Sequence, residues 1–172
     1  MLNAMNNPAM TSILGLSNLN DIQQVTLSTS GIVGTLDLSG KTALTVLRTN
    51  DCPALTSINV SGNSALVTLN SAWNKSGNGP LTSINLSGCT SLGTTSTILY
   101  ANNQSISSLD ISSTSFVYST SALRIMGNNM TSLIVPATGS TLTQWRTAGN
   151  ATNDAFHLAG NNFGTGNVGI TQ

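Results

Sequence analysis

Apolar residues recur along this chain in a fixed frame: apolar-x-x-apolar-x-small, then an Asn-like position and a further apolar residue. The frame fits Leu44, Leu47, Thr49, Cys52 and Leu55, with Cys in the Asn place. It fits again at Leu66, Leu69, Ser71 and Asn74, with Leu81 after a longer turn. Further copies lie at Leu99, Ala101, Gln104 and Ile106, at Leu123, Ile125, Asn128 and Met130, and at Leu142, Trp145, Thr147 and Asn150. An early copy reads Ile22, Val25, Leu27, Ser30 and Ile32. The central residues Val25, Leu47, Leu69, Leu99, Leu123 and Trp145 stand about 22–30 residues apart, a solenoid period.

Between these copies a second segment alternates with period two, at Leu36/Leu38, Ile58/Val60, Ile84/Leu86, Leu109/Ile111, Leu133/Val135 and Phe156/Leu158. Such alternation predicts a short strand with one face buried. The expected fold is predominantly β: a solenoid of about six coils, two short parallel strands per coil and little helix. One coil cannot bury its own Leu and Ile residues, but coils stacked at about 4.8 Å can. Cys52, Asn74, Gln104, Asn128 and Asn150 fall in register and are expected to form a ladder of side chains bonded to buried turns. Residues 22–163 form the expected solenoid, residues 1–21 a cap or docking segment, and residues 164–172 a tail or cap.

The segments LTSINVSGNSALVTLN and LTSINLSGCTSL resemble bacterial leucine-rich repeats of the LxxLxCxxNxLxxLDLS type. That resemblance covers about Ile22 to Phe163 and implies a leucine-rich-repeat-like solenoid that binds through its concave sheet. Proteins of this kind occur on bacterial surfaces and, in relatives, on phage virions. The chain departs from the pattern where Ser96 and Thr120 replace the leading Leu, and where Thr49, Ser71, Ala101 and Thr147 replace the inward Cys. The inserts Trp73–Gly79 and Ser113–Thr120 lengthen two turns.

Composition sharpens the picture. Only 6% of residues are charged, with no Glu and zero formal net charge, against about 25% in ordinary domains. Such a surface offers little repulsion between neighbours, which implies a larger assembly or an extracellular setting. Five cations balanced by five Asp exclude a general affinity for nucleic acid. No run approaches the roughly 20 apolar residues of a membrane span. MLNAMNNPAM has no basic or continuous apolar region of a secretory signal, so display outside the cell implies a signal elsewhere or release by lysis, as for a phage structural protein.

The outward position of the first strand type reads Thr26, Arg48, Asn70, Tyr100, Arg124 and Arg146, which gathers all three arginines into one row. Stacked like charges are costly, so the row is the candidate ligand-binding surface, for an acidic or sulfated glycan or a carboxylate-bearing protein. The alternative is that the long Arg stems cover the sheet. The opposite row reads Asp37, Asn59, Asn85, Asp110, Ile134 and His157. Cys52 and Cys89 sit in different strand types more than one coil apart, too far for a disulfide. One His and no Glu leave little for acid–base chemistry, and nothing calls for a metal or cofactor. The expected function is a non-enzymatic adhesion or receptor-binding module on a virion or cell surface, contacting other subunits of an assembly. A structural virion subunit is the alternative, and a carbohydrate-active enzyme a distant third.

Overall fold

In the computed structural model, described here for all residues except 95–96, 118–121 and 149–155 and the side chains of 147, 148 and 156, the repeat folds as a parallel β-solenoid of about five turns. The first strand type forms β1 (Leu2–Asn3), β2 (Gln24–Thr26), β4 (Val46–Arg48), β6 (Thr68–Asn70), β8 (Ile98–Tyr100), β10 (Ala122–Arg124) and β12 (Phe156–His157). These seven make one unbroken parallel sheet in that order. Leu2, Val25, Leu47, Leu69, Leu99, Leu123 and Phe156 are successive partners across it. Val25, Leu47, Leu69, Leu99 and Leu123 are fully buried, each contributing about 1.5–3 kcal/mol of transfer free energy.

The second strand type forms two sheets rather than one. β3 (Val33–Asp37), β5 (Ala54–Asn59) and β7 (Ser83–Asn85) are one; β9 (Ser108–Asp110), β11 (Ser132–Ile134) and β13 (Ile170–Thr171) are the other. Its inward residues Leu36, Ile58, Ile84, Leu109, Leu133 and Ile170 meet the first sheet's leucines in a single core.

The last coil departs from the expected register. Leu142–Ala148, expected as a strand, is the helix α1. Thr141 and Gln144 explain it as a capping box: the Gln144 amide N–H donates to Thr141 Oγ1 (3.3 Å), and Gln144 Oε1 accepts from the Thr141 amide (2.8 Å). Trp145 is then buried on the core side of α1. Phe156–His157, expected in the second strand type, instead extends the seven-stranded sheet from β10. The place this leaves in the second type is filled by β13, from the C-terminal segment.

Residues 1–21 are joined to the first full coil by backbone bonds. The Gly31 amide donates to Asn7 O and the Val33 amide to Thr11 O, both 3.1 Å. Leu16 enters the core, and the nearly buried Lys41 ammonium donates to Ser17 O (2.6 Å) and Asn20 Oδ1 (3.3 Å). Among the described residues no helix is long and apolar enough to cross a membrane.

Candidate functional site

The seven-stranded sheet sets the outward row in register. Asn3, Thr26, Arg48, Asn70, Tyr100, Arg124 and His157 are neighbours strand by strand, about 4.8 Å apart. Four of the expected site residues, Arg48, Asn70, Tyr100 and Arg124, therefore share one face. Arg146 does not. It lies on α1, where its Nε donates to Ile170 O (3.1 Å) and so ties the helix to β13. His157 takes the place expected for Arg146, beside Arg124.

Local bonds fix much of this face. Asn70 Oδ1 accepts from Asn50 Nδ2 (2.6 Å) and from the Ala72 amide (3.2 Å). Asn50 Oδ1 in turn accepts from the Ser28 hydroxyl (3.3 Å). With its oxygen held twice, Asn70 has its orientation set, and its Nδ2 donor has no partner among the described residues. The Arg124 guanidinium lies over the Tyr100 ring, 4.7 Å from the centroid. Arg48 is exposed and has no side-chain partner among the described residues. The neighbouring outward positions are Val46, Thr68 and Ile98 on one side and Ser28, Asn50 and Asn102 on the other, with no Asp among them. The Trp73–Gly79 insert stands at the end of β6, with Lys75 Nζ 5.1 Å from the Trp73 ring. It is pinned across neighbouring coils by Asn78 Nδ2, which donates to Gln104 O (2.9 Å) and Gly127 O (3.2 Å).

Inside the turns, the ladder residues do not all behave alike. Asn128 is buried; its Oδ1 accepts from the Ile106 amide (3.3 Å), and its Nδ2 donates to Ala101 O (2.7 Å) and Ile125 O (2.8 Å). Cys52 Sγ donates to Leu27 O (3.2 Å). Gln104 Nε2 donates to Ser71 O (2.5 Å), and its Oε1 accepts from the Leu81 amide (3.2 Å). Asn74 is not in the ladder. The insert carries it outward, where its amide and Nδ2 bond the Asp51 carboxylate (2.7 and 3.1 Å). Gly79 comes next to Gln104 instead, and a Cβ there would collide with Gln104 Oε1. The longer Gln thus reaches into space that a residue without a side chain leaves open.

Asn150 lies outside the described residues. The ladder continues at Asn161, a position outside the expected set. Its Oδ1 accepts from the Met130 amide (3.0 Å), and its Nδ2 donates to Ile125 O (3.0 Å) and Leu158 O (2.8 Å). The signal was present: Phe156-His-Leu-Ala-Gly-Asn161 repeats Leu123-Arg-Ile-Met-Gly-Asn128 position for position. Gly127 and Gly160 both have positive φ (69° and 76°), the left-handed turn that aims each following Asn inward.

The opposite face is built of short turns. Asp37, Asn59, Asn85 and Asp110 each accept, through Oδ1, the amide of the Ser two residues on, at 3.0, 3.2, 3.1 and 2.8 Å. Hydrogen bonds from Ser39, foremost among the causes, hold the Asp37 carboxyl below the usual range. Asn59 donates to Asp37 (3.1 Å), and among the described residues no three His, Cys or Asp groups come together as a metal site would need. Cys52 and Cys89 are free and buried. Burial pushes the Cys89 thiol up to about 11, and it donates to Val60 O (3.2 Å).

Comparison with protein-family models, curated proteins and solved structures gave no match.

Proposed function

We propose that this protein is a non-enzymatic interaction module, displayed on a virion or cell surface, that binds a partner through its seven-stranded sheet. One observation carries the reading: an unbroken in-register row that holds Arg48, Asn70, Tyr100, Arg124 and His157 on a single face. Among the described residues the opposite side, split into two three-stranded sheets and closed by its own side-chain turns, offers no comparable continuous sheet. The low charge supports working beside other subunits, since little repulsion opposes close contact. The repeat sequence, read as leucine-rich-repeat-like, supports use of the same sheet.

A structural virion subunit is the second reading, favoured by one feature. Met1, Met5, Leu14 and Leu19 are exposed at the end where β1 leaves a free strand edge.

The test is binding of the labelled protein to a glycan array and to a panel of intact bacterial cells. The double substitution Arg48→Ser/Arg124→Ser is expected to abolish binding while circular dichroism stays unchanged. Binding that survives this substitution would rule out the face. Assembly into multimers without binding to any surface would favour the structural subunit.

A further inference from the structure

Resting on the interaction-module reading, we propose that Arg48, Asn70 and Tyr100 form a subsite for an oxyanion (carboxylate or sulfate) carried on a pyranose ring. Arg48 presents a planar fork of N–H donors to solvent. Such forks match carboxylate and sulfate oxygens, which accept two parallel bonds.

The neighbouring strand supplies a second donor. Asn70 is the register partner of Arg48, and its oxygen is already committed to Asn50 and Ala72. Its Nδ2 is therefore the polar atom left for a ligand. Two donors on adjacent strands, about 4.8 Å apart at their Cα atoms, lie within reach of one anion. The amide does not have to reorganise: the Ser28–Asn50–Asn70 chain of bonds fixes it before anything binds, while the Arg48 fork is ordered by the anion itself. Preorganisation of this kind lowers the ordering cost of association.

Tyr100 follows on the next strand, half-buried. Arg124 occupies one face of its ring at 4.7 Å, which holds the ring in place and adds positive potential beside the donors. An anionic group at Arg48 and Asn70 would lie next to this ring, where the C–H face of a sugar can pack. Of the surrounding outward positions, Thr26, Asn50, Thr68 and Asn102 are uncharged hydrogen-bonding groups suited to hydroxyls, and Val46 and Ile98 are apolar surface suited to the C–H face of a ring.

The experiment is calorimetric titration of the full chain with trigalacturonate, sulfated galactotriose, neutral galactotriose and a tetraglutamate peptide. The carboxylate or the sulfate sugar, or both, should bind at least tenfold tighter than the neutral one, and the two arms identify which oxyanion is taken. Arg48→Ser should remove that preference, and Arg48→Lys, which keeps the charge without the fork, should restore only part of it. Tyr100→Ala should weaken the sugars. Equal binding of the neutral sugar, tetraglutamate binding as tightly as the acidic sugars, no binding of either acidic sugar, or an unchanged Arg48→Ser protein would each overturn the subsite. If the acidic sugars fail while Arg48→Ser/Arg124→Ser still abolishes cell or array binding, the subsite is wrong and the module reading stands.

Discussion

Asn128→Ala tests whether the turn ladder holds the solenoid together. The side chain is buried and serves four backbone groups: the Ile106 amide, Ala101 O, Ile125 O and Met126 O. Removing it does not orphan all four, because Ile125 O keeps the bond from Asn161 Nδ2 and Met126 O keeps the bond from the Asn103 amide. Two groups lose the partner that Asn128 gave them, each at a cost of about 1–3 kcal/mol when buried, so the expected loss is about 2–5 kcal/mol. Against a typical total of about 5–15 kcal/mol, that is a large fraction. The assay is urea unfolding followed by circular dichroism and by tryptophan fluorescence, with coincident transitions checking two-state behaviour. Asn74→Ala is the matched control: Asn74 is exposed and bonds only Asp51 carboxylate oxygens, so its loss should stay within about 0.5 kcal/mol. If Asn128→Ala costs less than about 1 kcal/mol, or no more than Asn74→Ala, the ladder is not what secures the turns.

Lys41→Met should loosen residues 1–21, because the ammonium bonds to Ser17 O and Asn20 Oδ1 disappear; faster limited proteolysis within that segment, with the core intact, is the expected result. Cys89 gives an alkaline signature. Its folded value of about 11 exceeds the ordinary 9.0, so the native state holds its proton longer than the unfolded chain. The associated stability is whole below pH 9, falls as pH rises and is lost by about pH 11, an effect of at most about 2–3 kcal/mol. Urea midpoints of Cys89→Ala measured from pH 8 to 11 should fall less steeply than those of the parent protein. A native thiol that reacts readily with a disulfide reagent at pH 8 would contradict this burial.

The stacked strands were legible because buried leucines must recur once per coil, and β2, β4, β6, β8 and β10 follow the spacing of Val25 through Leu123. The last coil was misread for a physical reason. Leu142 and Trp145 are three residues apart, a spacing that fits one helical face as well as the repeat frame, and local capping by Thr141 and Gln144 decides for the helix. That error displaced two residues of the candidate face at once, putting Arg146 in the row and His157 across from it. Asn74 shows a different limit: the frame locates an Asn but not the insert that swings it outward. The division of the second strand type into two sheets had no signal in the pattern, since the inward pairs continue without a gap.

Gln104 and Gly79 have a consequence for how the chain finds its order. Coils this alike could in principle pair out of sequence, one skipping another, because each presents nearly the same strand to its neighbours. The long amide of Gln104 occupies space that a Cβ at residue 79 would enter, and Gly79 leaves that space open. The pair works as a key and its keyway, marking which coil comes next in a stack of near-copies.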